Sequence, residues 1–246
     1  MIELFQADCL EKMTDISDKS IQMVLVDLPY GITSNKWDCL LPMDKLWKHY
    51  LRIGKDNAVF AFTSSQPFTS ILVSSAIDIW RHEWVWIKNR GSNFANTVRE
   101  PFKEHETIQI FSKGKWIYNK QMQPRTGTGG NRVKYSLNQR STSKNYREFE
   151  GREDTKQGEL RVPSSWQKFN TDTSGLHPTI KPVALFEYLI KTYTNAGDTV
   201  LDNCMGSGTT GLACKNLNRN FIGIELDEVY FKIAEQRING NIIIGT

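Results

Sequence analysis

The stretch IQMVLVDLPYG, residues 21–31, runs an apolar segment into a carboxylate, a proline and an aromatic ring. A strand end is a rigid platform, so Asp27 and Tyr30 read as groups held for a site. The structural alternative is that Asp27, Pro29 and Gly31 only make a turn. A second stretch, LDNCMGSGTTG (201–211), spells Gly-x-Gly-x-x-Gly through Gly206, Gly208 and Gly211. It lies between an expected strand and an expected helix, and Glu225 closes the next strand. That is the context of a nucleotide site at the carboxyl edge of a parallel sheet, where glycines let the backbone approach the ligand. An acid on the next strand can accept hydrogen bonds from both ribose hydroxyls. A tight glycine turn with no ligand is the bland alternative. Asp202, just before the loop, would repel a pyrophosphate but would welcome an amino group. This tilts the loop from NAD towards S-adenosylmethionine, whose tail carries an ammonium and a sulfonium.

The elements that must position these groups are legible as short apolar runs separated by stretches of helical period. Strands are expected at 2–7, 21–26, 57–63, 80–88, 105–113, 198–203 and 220–226. Helices are expected from Asp8, over 43–54 and 66–76, from Pro182, and over 208–217 and 227–238. Such alternation argues an α/β fold, a mostly parallel sheet with helices on both faces. The middle breaks the rhythm: 114–175 is rich in Gly, Ser, Asn and Gln with scattered aromatics, and a connection that long is expected to be functional.

Composition bounds the rest. The chain has 246 residues with 39% hydrophobic side chains, enough for one large domain with an insert. Four widely spaced cysteines form no CxxC pair, which points to a reduced, cytoplasmic protein without a zinc site or other metal. No apolar run approaches a membrane span. The net charge of +4 is uneven: residues 113–175 hold 13 Lys and Arg against 6 Asp and Glu. A basic middle in a mildly acidic body fits a segment that meets a polyanion, against the alternative of a solvated surface insert.

With both motifs in view, the chain resembles the beta class of DNA amino-methyltransferases. In that permuted class a four-residue motif, usually Asp-Pro-Pro-Tyr, comes first and the glycine-rich motif near the C-terminus. Here Asp27-Leu28-Pro29-Tyr30 and DNCMGSGTTG stand in that order, HPTIKPVALFEYLI (177–190) is similar to the motif before the glycine loop, and QADCLEKM (6–13) to the start. The resemblance implies a Rossmann-like S-adenosylmethionine-dependent methyltransferase fold over 1–112 and 176–246, with an inserted target-recognition region at 113–175. It implies catalytic roles for Asp27, Leu28, Pro29 and Tyr30, with Leu28 acting through its backbone carbonyl and departing from the usual proline. Asp202, Gly206, Gly208, Thr209 and Thr210 would line the methionine portion of the cofactor. Glu225 would take the ribose, Asp8 the adenine, and His177 and Lys181 the motif before the helix, Lys181 meeting the cofactor carboxylate. Helix capping and a loop hydrogen bond are the structural alternatives for Asp8 and His177.

The partner implied is double-stranded DNA, contacted by Arg125, Arg132, Lys134, Arg140, Lys144 and Arg147, and the resemblance also implies a homodimer. Asp at position 27 implies adenine N6 as the target, since cytosine-N4 enzymes of this kind more often carry Ser there. Cytosine-N4 methylation, RNA base methylation, an NAD-dependent oxidoreductase and a non-catalytic DNA-binding protein are the competing readings. The segment 92–106 is read as a surface crossover in preference to a mobile loop at the site.

Overall fold

The computed structural model describes residues 1–31, 38–124, 160–172 and 180–240. The strands among the described residues are β1 (Ile2–Gln6), β2 (Ile21–Val26), β3 (Gly54–Ser64), β4 (Trp80–Ile87), β5 (His105–Phe111), β6 (Gln123–Pro124), β7 (Leu160–Arg161), β8 (Trp166–Lys168), β9 (Thr199–Asp202) and β10 (Asn220–Glu225). The α-helices among the described residues are α1 (Cys9–Lys12), α2 (Met43–Ile53), α3 (Phe68–Ser75), α4 (Val183–Tyr193), α5 (Thr209–Asn216) and α6 (Glu228–Asn239). Two compact units result, Met1–Asn119 with Ser165–Thr246, and Lys120–Ser164. Within the second, β6 and β7 pair antiparallel, Gln123 opposite Arg161. The composition break put the insert at 113–175. The second unit is narrower, because 166–168 pairs in parallel with β4 and belongs to the main sheet.

The main sheet runs β1-β10-β9-β2-β3-β5-β4-β8. The five strands from β1 to β3 are parallel, whereas β5 is antiparallel to both β3 and β4. All six residues of β2 are buried, as expected when a strand is covered on both faces. Its side chains divide by period two: Val24 and Val26 join Phe60 and Phe62 of β3 on one face, Met23 and Leu25 join Val59 and Ala61 on the other.

Helix α2 covers the first face, with Leu46, Trp47, Tyr50 and Ile53 buried at helical spacing. Trp47 meets Phe60 and Phe62 edge-on, at centroid distances of 5.9 and 5.5 Å. The second face is covered by Leu185, Phe186, Leu189, Ile190 and Tyr193 of α4, with Ala213 of α5 and Ile238 of α6. Pro182 stands just outside α4 rather than in its first turn, and its carbonyl accepts from Leu185 and Phe186. Among the described residues no helix is long and apolar enough to cross a membrane.

Gly208 starts α5 in the left-handed region, φ 80°, where an L side chain is strained. A β-carbon there would stand 2.9 Å from Ala234 Cβ and 3.0 Å from its Cα, so α6 packs directly on this turn. Gly208→Ala is therefore expected to destabilise the protein by about 1–3 kcal/mol, the cost of a non-glycine residue held at positive φ. Urea unfolding should show a lower midpoint at unchanged slope.

Candidate active site

Parallel strands end at one edge of a sheet, and here that edge collects the acids of both motifs. In spatial order the strand ends carry Asp8 after β1, Glu225 on β10, Asp202 on β9 and Asp27 after β2. In sequence these are far apart. The strand order turns between β9 and β2, since β9 leads to β10 on one side while its other neighbour comes from the start of the chain. Ligands of open α/β sheets bind in the crevice at such a switch point. A cleft of about 1730 Å3 opens there, lined by all four acids together with Gly206, Thr209, Thr210, Lys181, Lys88 and Glu106.

The glycine loop is tied to its surroundings through backbone and carboxylate. Glu225 accepts from the Gly206 N–H at 2.8 Å and from the Asp227 N–H at 2.9 Å. Burial pushes its carboxyl up, against those two hydrogen bonds. Asp202 is buried, accepting from the Thr210 hydroxyl at 2.5 Å and the Cys204 N–H at 3.1 Å. Burial raises it to about 7 despite both donors. Arg237, buried on α6, donates to the Ser207 carbonyl at 3.1 Å and to the Thr209 hydroxyl at 2.9 Å, so a guanidinium braces the loop from below. Asp8 is exposed and caps α1, accepting from Leu10 N–H at 2.7 Å.

At the other end of the cleft, Asp27 is held from three directions. Tyr30 donates its hydroxyl to Oδ1 at 3.0 Å, Thr63 donates to the same oxygen, and Lys181 donates to Oδ2 at 2.5 Å. The Tyr30 ring stacks on Phe68 at the start of α3, centroids 5.0 Å apart and planes 18° from parallel. Burial and the carboxylates of Asp27 and Glu106 push the Tyr30 hydroxyl well above its usual range. The Leu28 side chain is buried in the core, and Gly31, at φ 67°, turns the chain away.

Behind Lys181 lies a second carboxylate. Glu106 pairs with Lys88, and its Oε2 stands 3.7 Å from the Lys181 ammonium. Burial alone would raise Glu106, but Lys181 and Lys88 overcome it and hold the carboxyl below its ordinary range. Lys181, which burial would lower, is raised by Asp27 and Glu106. Lys181 thus stays charged inside the protein.

The structure brings together Asp8, Asp27, Leu28, Pro29, Tyr30, Lys181, Asp202, Gly206, Thr209, Thr210 and Glu225 along one cleft. Lys181, expected at the cofactor carboxylate, has its ammonium on Asp27 instead. Thr209 and Thr210 are buried and turned to Arg237 and Asp202. His177 and the basic residues Arg125, Arg132, Lys134, Arg140, Lys144 and Arg147 lie outside the described residues. The segment 92–106, read as a surface crossover, lines the cleft through Ser92, Asn93, Phe94, Ala95, Asn96, Lys103 and Glu106. Sequence reasoning missed Thr63, Lys88, Glu106 and Arg237. Among the described residues, no group of three or more His, Cys, Asp and Glu side chains could hold a metal ion.

Comparison with known proteins places this fold and site in a class. A family model described as DNA methylase, of the N6/N4 kind, matches residues 21–236. Type II methyltransferase M1.MboII of Moraxella bovis is 30% identical over 257 residues, covering 96% of each chain. Among solved structures, an M1.HpyAVI–SAM complex shows a TM-score of 0.66 at 28% identity, over 96% of this chain and 100% of that one. The cytosine-N4-specific PvuII DNA methyltransferase gives a TM-score of 0.69 at 17% identity, over 98% and 88% of the two chains, a likeness of fold alone. The cleft at the switch point of a Rossmann-like sheet defines a nucleotide-cofactor enzyme. More narrowly, the chain belongs to the N6/N4 family of DNA methylases, amino-methyltransferases that use S-adenosylmethionine.

The residues present suit that cofactor. Asp202 is a buried carboxyl that a neighbouring cation would draw into its charged form. Glu225 fixes the loop while retaining acceptor capacity, since a carboxylate can take about four hydrogen bonds.

Because Asp202 titrates at about 7 when folded against 3.8 ordinarily, its contribution to stability is complete below its unfolded pKa and is lost as pH rises through 7. Asparagine can satisfy both the Cys204 N–H and the Thr210 hydroxyl without a charge. Between about pH 4 and pH 8, the stability of ligand-free Asp202→Asn relative to wild type is expected to shift in the variant's favour by roughly 4 kcal/mol. Denaturant titrations across that range would check this.

Proposed function

We propose that the protein methylates adenine N6 in double-stranded DNA, within a specific sequence and as the modifying partner of a restriction enzyme. The observation that carries this reading is the Asp27 carboxylate fixed at the end of β2 by Thr63 and Lys181, beside the Tyr30 ring. Aspartate rather than serine at this place in the motif supports adenine over cytosine. The names of relatives such as M1.MboII and M.HinfI, both type II methyltransferases, support sequence-specific modification.

An exocyclic amino nitrogen is a poor nucleophile because its lone pair is delocalised into the ring. Asp27 accepts a hydrogen bond from that amino group and the Leu28 carbonyl accepts the other, which favours a pyramidal nitrogen with its lone pair aimed at the methyl donor. Three donors already reach Asp27, and a carboxylate has room for about four. Orientation supplies much of the rate. S-adenosylmethionine supplies the electrophilic methyl group, its carbon–sulfur bond breaking as the nitrogen–carbon bond forms. Asp27 then takes the proton that the methylated nitrogen sheds and passes it to solvent.

A base within a duplex must first be flipped out, at a cost of a few kcal/mol. Stacking on an aromatic face offsets about 1–3 kcal/mol of this, and Phe68 backs the Tyr30 ring as a firm wall. Asp202, Gly206, Gly208, Thr209 and Thr210 hold the methionine end of the cofactor, Glu225 the ribose, and Asp8 and His177 complete the pocket. Reading of the sequence falls to the basic region 113–175, through Arg125, Arg132, Lys134, Arg140, Lys144 and Arg147. Lys and Arg on phosphates give position, and side chains on base edges give choice.

Labelled S-adenosylmethionine, unmethylated genomic DNA and nucleoside mass analysis test the whole reading, with total RNA as a parallel substrate. N6-methyldeoxyadenosine is the expected product. N4-methyldeoxycytidine would overturn the base, and label confined to RNA would overturn the substrate. Asp27→Ala is expected to lower turnover at least a hundredfold, on the scale of removing a transition-state hydrogen-bond partner, with cofactor affinity within a few-fold. Glu225→Ala should weaken cofactor binding in calorimetry far more than DNA binding; equal affinities would remove Glu225 from the ribose.

A further inference from the structure

The buried charges around Asp27 form a chain: Asp27, Lys181, Glu106 and Lys88, alternating in sign and summing to zero. Lys181 and Lys88 are each 6% exposed at the side chain and Glu106 is 15% exposed, so water screens them little. Lys103, the other cation acting on Glu106, donates its ammonium to Ser65. Alone, the ammonium on Asp27 would work against the reaction, because the amino nitrogen becomes positive as it gains a methyl group. We propose that Glu106 is a positioning residue for methyl transfer: it offsets the charge of Lys181, so that the four groups beside the amino nitrogen carry no net positive charge as that nitrogen becomes positive.

A second detail gives Glu106 a further part. Its Oε2 is buried and makes no hydrogen bond, although Lys181 stands 3.7 Å away. A charged hydrogen bond at about 2.8 Å needs the ammonium to move by only about 1 Å. That move lengthens the Lys181 contact to Asp27 Oδ2 from 2.5 Å to at most about 3.4 Å and loosens its hold on the oxygen offered to the incoming amino group. Glu106 therefore acts twice, as a counter-charge and as the place towards which Lys181 withdraws.

This inference rests on Asp27 receiving the amino group and is indifferent to whether the base is adenine or cytosine. A unit charge about 6 Å from a developing charge changes a rate by roughly a hundredfold at an effective dielectric constant of about 20. Single-turnover methyl transfer on the full chain with DNA is the test. Glu106→Gln is expected to slow the step by about tenfold to a hundredfold, with affinities for cofactor and DNA within about threefold. Glu106→Asp, which keeps the charge, should fall by less than about fivefold. Adding Lys181→Met to Glu106→Gln restores neutrality and should raise the rate about tenfold or more over Glu106→Gln alone. A merely structural role predicts the double variant to be no faster than Glu106→Gln.

Wild-type rate in Glu106→Gln, or no recovery in the double variant, would overturn the proposal. Should Glu106→Gln fail to bind the cofactor, the double variant decides: a rate within about tenfold of wild type supports the proposal and none overturns it. Asp27→Ala in the same assay separates the two failures. If it turns over normally, the role of Asp27 is wrong; if it is dead while Glu106→Gln is unimpaired, only the role of Glu106 is.

Discussion

The pairing of β2 with β9, at Met23–Val200 and Val24–Leu201, is the constraint on which the site depends. Carried on, that register sets residue 202 beside residue 25, one inter-strand spacing of about 4.8 Å away, so that Asp27 stands two residues further along the same edge of the sheet. The segment that ends in the glycine loop and the segment that ends in Asp-Leu-Pro-Tyr are separated by most of the chain. Only this ladder makes them the two walls of one crevice. Every residue of β2 and the last three of β9 are buried, and β2 lies between α2 and α4, so the helices on either face fix its height and tilt. The two walls of the crevice are thereby registered through backbone hydrogen bonds instead of through loops.

On that frame the protein places a run of buried and half-buried charges. Removing charged side chains from water is costly, and buried ion pairs add little net stability when compared with apolar packing. Asp27, Lys181, Glu106 and Lys88 are thus poor choices for stability alone. Under the proposed reading they serve as preorganisation: oriented charges that need no solvent reorganisation when the amino nitrogen changes its charge. Arg237 does the same for the other wall, where its bonds to Ser207 and Thr209 hold the loop that Gly208 lets turn.

Much of this was legible in the residues. Apolar runs located each of the longer strands, because a parallel strand buried on both faces reads as a continuous run. The glycine spacing and the acids at strand ends marked residues that the structure gathers along one cleft. What sequence could not show was direction. Glu106 opens an apolar run and Lys88 closes one, and a parallel β5 would put them at opposite edges. Because β5 runs antiparallel to its neighbours, the start of β5 meets the end of β4 at the same edge as Asp27. Arg237 was hidden for a different reason: in a helical pattern rich in charge it reads as solvent-facing, yet packing turns it inward. Lys181 was seen, but its nearest anion is decided by tertiary contact alone.

Asp202 gives one further consequence. A carboxyl that keeps a proton near neutrality must release it when a cation settles against it, so seating such a ligand is also an ionisation. The heat measured for that event then contains the buffer's own enthalpy of protonation. Titrations in two buffers of unlike protonation enthalpy would differ by the number of protons expelled, and the enthalpy of either one alone would describe the medium as much as the enzyme.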